Sequence, residues 1–190
     1  MTSAPRLIGL YSPAPQSGKT TVASYLTEHG FYRTSFAAPL KRMLRTFLIH
    51  LGYGPEQIDH YLDVGKEELI PNIRITPRQL LQTLGTEWGR TCVHSNVWLM
   101  TWQVTASRYL DSGVPVVCDD IRFPNEAELI RSLGGELWHV HRPDSERATS
   151  HSSEGSLDSF PYFDRRIIND GTLLDLYRRV QSLIPATTAA

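Results

Sequence analysis

The stretch from Leu7 to Thr21, LIGLYSPAPQSGKTT, constrains the fold of this chain more than any other segment. Its first residues form an apolar run that predicts a buried strand, and Gly18-Lys19-Thr20 ends the following loop and opens a helix. A loop that enters a helix N-terminus points successive backbone N–H groups at one place, which suits a polyphosphate. The segment therefore predicts a strand, a phosphate-binding loop and a helix, in that order.

Individual loop residues have separate predicted tasks. Lys19 is expected to reach the β- and γ-phosphates of a nucleotide, and the Thr20 hydroxyl to coordinate Mg²⁺. The usual pattern, Gly-x-x-x-x-Gly-Lys-Ser/Thr, has a glycine where this chain has Pro13, and Pro15 is a second proline in the loop. Because proline lacks an N–H donor, we expect the phosphate-facing amides to be those from Gln16 to Thr21. The predicted nucleotide-binding set is Ala14, Gln16, Ser17, Gly18, Lys19, Thr20 and Thr21.

Charge and cysteine content limit the class of ligand and the compartment. The formal net charge of the 190 residues is −1 and the pI is about 6.6, so a small phosphorylated ligand is favoured over polymeric nucleic acid. Cys92 and Cys118 lie in segments with buried patterns, which predicts reduced thiols and a cytoplasmic protein. No apolar run approaches the ~20 residues of a membrane helix. The N-terminal residues also lack the apolar core of a signal peptide.

Strand and helix patterns alternate along the chain. Further strands are predicted at 31–35, 114–118, 136–141 and 165–169, and helices at 20–29, 39–51, 97–110, 124–133 and 172–183, with one short helix in the charged connector 52–72. Thr76-Pro77-Arg78-Gln79 has the pattern of a capping box and begins another helix. This alternation predicts an α/β fold, a parallel sheet covered by helices on both faces.

Three details of these elements are specific expectations. The helix from Pro39 is expected to bury a stripe of apolar side chains, Leu40, Met43, Leu44, Phe47, Leu48 and Leu51. Gly85 to Arg90 is expected to break the helix that begins after Thr76, because two glycines flank Trp88. The C-terminal helix is expected to pack through Leu173, Leu176, Tyr177, Val180 and Leu183.

Charged side chains at the ends of these elements are the remaining site candidates. Asp119 and Asp120 follow an apolar strand, where ligands of open α/β sheets bind, so Asp119 is a candidate Mg²⁺ ligand and otherwise a helix cap. Arg78 and Gln82 share one helix face and suit a phosphate and a base edge, although a solvated helix face has the same pattern. The same alternative applies to Arg42. Residues 142–160 are polar and serine-rich, which suggests a lid.

Several motifs lie along the chain: GKTT at 18–21, FAAPLK at 36–41, TPRQLLQTLGTE at 76–87, DDIRFPNE at 119–126, HSSE at 151–154 and NDGT at 169–172. Together they resemble the deoxynucleoside monophosphate kinases of bacteriophages, from about Leu7 to Leu183. The resemblance implies a three-layer P-loop kinase fold, ATP and Mg²⁺, and a deoxynucleoside monophosphate as acceptor. It also implies the cytoplasm of an infected bacterium as the location.

On this basis residues 1–190 are expected to form a single kinase domain, with an acceptor-binding helical region at about 38–112 and a lid at about 142–160. The expected catalytic residues are Lys19, Asp119, Arg122 and Arg142, and Thr20 and Asp119 are the expected Mg²⁺ ligands. The expected acceptor-binding residues are Arg42, Arg78, Gln82, Trp88, Asp120 and Arg122. The expected partners are small nucleotides, with no membrane. The oligomeric state stays open, and a homodimer is one option.

Two other functions are compatible with the same residues. A kinase that acts on an alcohol, such as a hydroxymethylated base in phage DNA, needs a general base, and Asp119 or Asp120 could serve. A non-catalytic nucleotide-binding regulator needs no acceptor pocket at all. An alcohol kinase would transfer the phosphoryl group to DNA and not to a free nucleotide. A regulator would consume ATP independently of an added monophosphate, or not at all.

Overall fold

The computed structural model describes residues 5–143, 157 and 160–184. The chain divides into two compact units: Met1–Ser35 with Thr105–Ala190, here called the sheet unit, and Phe36–Val104, here called the helical unit. Among the described residues, none of the helices has the length and apolar content that a membrane crossing requires.

The described strands are β1 (Leu7–Tyr11), β2 (Tyr32–Thr34), β3 (Val116–Cys118), β4 (Glu136–His141) and β5 (Arg165–Ile168). The described helices are α1 (Lys19–Glu28), α2 (Ala38–His50), α3 (Pro55–Asp63), α4 (Pro77–Gln82), α5 (Val97–Asp111), α6 (Pro124–Ser132) and α7 (Leu173–Leu183), and a π-helix covers Thr83–Val93. Most element boundaries agree with the predicted ones to within two residues.

The sheet is parallel and has the strand order β2-β3-β1-β4-β5. The first strand, β1, is central: Gly9 lies opposite Cys118 on one side and Leu137 on the other, and all five residues of β1 are buried. The loop after β1 therefore leaves from the middle of the sheet. Neighbouring parallel strands end at the same edge, which is where open α/β sheets bind ligands.

Helices cover both faces of this sheet. Ile8 and Leu10 of β1 pack in one core cluster with side chains of α1 and α7, including Leu26 and Val180. The alternate positions face the other way, since a β-carbon on Gly9 would meet Ile121 and Leu137. On that face α6 contacts β1 and β4. The predicted three-layer arrangement is confirmed.

The helical unit has its own core. Leu44 and Leu48 of α2 pack with α3 side chains Ile58 and Leu62 and with Ile70. The predicted stripe on α2 is wrong at Met43 and Phe47, which are 40% and 43% exposed. The core of the helical unit packs against the side of α2 that carries Leu44 and Leu48. Met43 and Phe47 lie on an adjacent side, which no described element of this unit covers.

The predicted break at Gly85 to Arg90 is also wrong. The chain continues from α4 directly into the π-helix, whose glycines serve packing instead. Trp98 Nε1 donates a hydrogen bond of 2.7 Å to the Gly85 carbonyl, and a β-carbon on Gly89 would lie 2.4 Å from the Trp98 ring. The two glycines therefore allow the Trp98 indole to pack directly against the helix backbone.

Two further burial predictions fail at helix ends. Cys92 is exposed because it lies near the end of the π-helix, whereas Cys118 is buried in β3 as predicted. Leu173 is 56% exposed, because it is the first residue of α7 and the core contacts of that helix begin at Leu176.

Candidate nucleotide-binding site

The loop between β1 and α1 contains two residues in the left-handed region of backbone space. Gln16 has φ +55 and Gly18 has φ +101. Left-handed residues within a turn point successive N–H groups into a concavity that binds anions. Two features of this position require glycine. Glycine adopts a positive φ without strain, and a β-carbon there would lie only 2.6 Å from Asn169 Nδ2, which is too close.

The donors of this loop begin after its prolines. The first helical hydrogen bond of α1 runs from the Val22 N–H to the Gly18 carbonyl at 2.9 Å, so the preceding N–H groups of the helix have no intrahelical acceptor. The Ala14 N–H instead donates to Ser12 Oγ at 3.3 Å. The buried Ser17 hydroxyl has no hydrogen-bond partner among the described residues. Phosphate oxygens are acceptors that such donors need.

The loop lines a cavity of about 390 Å³ in the sheet unit. Lys19 is at its wall, where its Nζ donates to the Ser12 carbonyl at 3.2 Å. The cavity brings together all seven predicted nucleotide-binding residues and the predicted catalytic Arg142. The full lining is Ala14, Pro15, Gln16, Ser17, Gly18, Lys19, Thr20, Thr21, Arg142, Asn169, Gly171, Leu173 and Leu176.

The far wall of the cavity is the turn between β5 and α7, to which the site prediction assigned nothing. Asn169 Nδ2 donates to the Ser17 carbonyl at 2.9 Å. The turn then leads into α7 through Thr172, whose hydroxyl accepts a hydrogen bond from the Asp175 N–H. In the sequence, the NDGT motif at 169–172 marks this turn, but the sequence analysis assigned it no function.

Asp119 lies at the carboxyl end of β3 as predicted, but it does not line this cavity. Its Oδ2 accepts a hydrogen bond of 2.7 Å from Arg33 Nε and also pairs with the second guanidinium nitrogen of Arg33. Arg33 lies on β2, next to β3, and nothing in the sequence pattern indicated this pairing. Asp119 Oδ1 has no hydrogen bond among the described residues, so one carboxylate oxygen remains for a further ligand.

Asp120 lies against a buried thiol. Cys118 Sγ donates a hydrogen bond of 3.5 Å to Asp120 Oδ1. Burial, and then the negative charge of Asp120, raise the pKa of the Cys118 thiol well above its ordinary value. Cys118 is therefore a neutral packing residue beneath the acidic end of β3.

Arg122 is placed by a buried carboxylate that the site prediction did not include. Glu126 Oε2 accepts hydrogen bonds from the backbone N–H groups of Arg122, at 2.8 Å, and Phe123, at 3.1 Å. These bonds fix the backbone between β3 and α6. The Arg122 side chain is exposed and does not line the cavity described above.

In the helical unit, the predicted acceptor residues occupy different surroundings. Arg42 lines a cavity of about 320 Å³ with Lys41, Arg45, Asp59, Leu62 and Asp63. Arg78 does not line that cavity, and it forms an ion pair with Glu67. Gln82 is exposed on α4, and Trp88 is 44% exposed beside Trp98.

Most of the predicted lid lies outside the described residues. Residues 142, 143, 157 and 160 are described, with Arg142 at the cavity wall. The HSSE motif at 151–154 lies outside the described residues as well.

Comparisons with known proteins agree with the resemblance. A sequence model of the family described as deoxynucleotide monophosphate kinase matches residues 56–180. A relative from Acanthamoeba polyphaga mimivirus, also named a deoxynucleotide monophosphate kinase, is 32% identical over 94% of this chain and 95% of that protein. The deoxynucleoside-5'-monophosphate kinase of Escherichia phage T5 is 38% identical over 40% of this chain and 29% of its own length.

Among solved structures, the Thermus thermophilus protein TT1252 is similar in fold, with a TM-score of 0.53 and 20% identity over 95% of this chain and 97% of that one. At that identity the likeness shows the fold alone. The family match covers more than half of the chain, and the mimivirus relative covers nearly all of it. The chain belongs to the deoxynucleotide monophosphate kinase family.

Proposed function

We propose that this protein transfers the γ-phosphoryl group of ATP to the 5′-phosphate of a deoxynucleoside monophosphate and releases the diphosphate. The observation that carries the proposal is the cavity of the phosphate-binding loop. Within it, a left-handed Gly18, the N–H groups of the first turn of α1 and the buried Ser17 hydroxyl supply donors for a triphosphate. Family membership supplies the class of acceptor.

The donor nucleotide fits this cavity in two parts. The loop amides and Lys19 would hold the phosphates, and the Lys19 ammonium would exchange the Ser12 carbonyl for the β- and γ-phosphate oxygens. Gly171 and Leu173 offer a partly apolar wall for the adenosine portion. The charge on Arg142 would also favour the γ-phosphoryl group.

The chain's own groups also suit Mg²⁺. Among the described residues, no three side chains of the His, Cys, Asp and Glu types cluster as a metal cage. Mg²⁺ prefers one or two protein oxygens together with substrate phosphates and waters, and the Thr20 hydroxyl and the remaining Asp119 oxygen are oxygens of that kind. When bound, the ion would neutralise charge on the transferred phosphoryl group.

The acceptor needs no general base in this reaction. The second pKa of a phosphate monoester is about 6, so at neutral pH the acceptor is mostly a dianion and already a competent nucleophile. The protein's task is to hold two anions in line and to offset their repulsion. Arg42 and Arg78 would bind the acceptor phosphate, Arg122 would act on the transferred group, and Gln82, Trp88 and Asp120 would contact the base.

The proposal is tested by measuring ADP release across a panel of ribo- and deoxynucleoside monophosphates. We expect ADP release only with an added monophosphate, and more with deoxyribose than with ribose. ADP release that ignores the acceptor would contradict the proposal. Transfer of radiolabel from ATP into DNA, with none in free nucleotide, would instead favour an alcohol acceptor.

We also propose a cytoplasmic location in infected cells, and the oligomeric state stays a prediction.

A further inference from the structure

Asn169, the first residue of the turn at 169–172, has no role in the reaction scheme above, yet its side chain contacts the phosphate-binding loop. The Asn169 carboxamide donates its hydrogen bond to the Ser17 carbonyl at 2.9 Å across a sequence separation of 152 residues. The same nitrogen occupies the space beside the Gly18 α-carbon, since a β-carbon there would lie 2.6 Å from it. Asn169 therefore touches both residues that form the Ser17–Gly18 peptide.

A hydrogen bond to this carbonyl orients more than the carbonyl itself. The Ser17 C=O and the Gly18 N–H belong to one planar peptide unit and point in opposite directions. Fixing the carbonyl towards Asn169 therefore fixes the Gly18 N–H away from it. Gly18 lines the cavity and opens α1, so the orientation of this one peptide sets the direction of a donor at the helix N-terminus.

The turn that carries Asn169 is itself anchored at several points. The Asn169 N–H donates to the His141 carbonyl of β4 at 2.7 Å. Asp170 forms an ion pair of 2.8 Å with Arg179, whose guanidinium also donates to the Ile168 carbonyl. Bonds on both sides of Asn169 hold its backbone to the sheet and to α7, so its side chain is in a fixed position from which it can restrain the loop.

We infer that Asn169 is a positioning residue for the triphosphate: its carboxamide holds the Ser17–Gly18 peptide in the orientation that receives phosphate. The inference rests on the proposed function only in placing the triphosphate in this loop. A loop that is ordered before binding spends less free energy on ordering during binding. The side chain would therefore raise phosphate affinity without touching phosphate.

The test compares binding of ATP with binding of inorganic tripolyphosphate, both with Mg²⁺, by isothermal titration calorimetry. Asn169→Ala removes the donor, and the isosteric Asn169→Asp places a carboxylate against the Ser17 carbonyl. The matched control is Asn72→Ala in the helical unit, because Asn72 Nδ2 makes a comparable hydrogen bond to the Leu51 carbonyl. Thermal unfolding of each variant reports whether it is folded.

We expect Asn169→Ala to weaken both ligands by a similar factor of about three to ten, the equivalent of one neutral hydrogen bond. Asn169→Asp should weaken both further, and Asn72→Ala should change neither. In turnover, KM for ATP should rise while KM for the monophosphate stays unchanged. If Asn169→Ala does not fold, the isosteric Asn169→Asp decides the question.

Two results would overturn the inference. If Asn169 variants weaken ATP but leave tripolyphosphate unchanged, the side chain acts on the nucleoside and not on the loop. If neither ligand is affected, the hydrogen bond has no consequence for binding. Failure of the wild-type protein to bind tripolyphosphate, or binding that survives Lys19→Met, would instead count against the proposed function.

Discussion

Lys19 is the residue on which phosphoryl transfer depends most directly in the proposed reaction. Its Nζ lies 3.2 Å from the Ser12 carbonyl, at the wall of the same cavity as the loop amides. An ammonium in this position would offset the charge that develops between the β- and γ-phosphates, which is the kind of preorganised interaction that contributes most to catalysis. Its side chain is partly buried and is not among the hydrophobic residues of the core cluster described above.

Lys19→Met should therefore lower kcat/KM by about 10²- to 10³-fold, the usual loss when one preorganised donor is removed. The methionine keeps most of the aliphatic stem, so the unfolding temperature should change little. The measurement is ADP release with the preferred monophosphate. Near-normal turnover in a folded Lys19→Met protein would remove Lys19 from the catalytic group.

The two cysteines should differ in reactivity because the thiolate is the reactive form. Cys92 is exposed, whereas burial and Asp120 raise the pKa of Cys118. A chromogenic disulfide reagent at pH 8 should titrate one thiol per chain in the native protein and two after denaturation. Cys92→Ser should abolish the native reaction. Rapid native labelling of Cys118 would mean that β3 opens readily.

At the scale of elements, α7 depends on a capping box at its first turn. Thr172 Oγ1 accepts from the Asp175 N–H, and the Asp175 carboxylate accepts from the Thr172 hydroxyl at 2.6 Å and from the Thr172 N–H at 3.0 Å. These hydrogen bonds, the hydroxyl first, lower the pKa of Asp175. The carboxylate form is therefore the one that stabilises the folded state.

A lowered folded pKa gives a definite pH dependence. The contribution of Asp175 is fully present above the unfolded pKa of about 4 and is lost as the pH falls through the lower folded pKa. Asp175→Asn should lower the unfolding temperature at pH 7, and the difference from wild type should shrink below pH 4. A difference that stays constant from pH 7 to pH 3 would exclude the charge as its cause.

The π-helix offers a second test at this scale, with a control in the same element. A β-carbon on Gly89 would lie 2.4 Å from the Trp98 ring, whereas one on Gly85 would lie 3.5 Å from Leu40. Gly89→Ala should destabilise the protein by about 1–3 kcal/mol through overpacking, and Gly85→Ala should be tolerated. Urea unfolding measures both. Equal effects of the two substitutions would contradict this packing account.

At the scale of the whole molecule, the two units have separable predicted tasks. The sheet unit carries the donor cavity, and the helical unit carries Arg42 and Arg78. Arg42→Ala and Arg78→Ala should each raise KM for the monophosphate about tenfold, as expected when a charged hydrogen bond is lost, and leave KM for ATP unchanged. Arg108→Ala, which removes an exposed cation outside the helical unit, is the control. An equal rise in KM for ATP and for the monophosphate would mean that these arginines do not act specifically in binding the acceptor.

The strand, loop and helix at the start of the chain could be predicted because their pattern is local in sequence. The order of strand, loop and helix follows from residues 7–28 alone. That the amides after Pro13 and Pro15 face phosphate stays a prediction. The parallel sheet and its two helical layers also follow from a pattern that repeats along the chain. These features depend on neighbours in sequence.

Tertiary structure decided the contacts between distant segments. Arg33 pairs with Asp119, 86 positions away, and Asn169 pairs with Ser17, 152 positions away. No local sequence pattern encodes pairs so far apart. The same applies to Met43 and Phe47, whose exposure depends on which side of α2 its neighbours cover. The sequence by itself determined that a strand, a loop and a helix follow one another at the start of the chain, and it predicted that this loop binds a triphosphate. The fold decided which side chains hold that loop and the Asp119 carboxylate, because those hydrogen bonds exist only once separate strands and turns have been brought together.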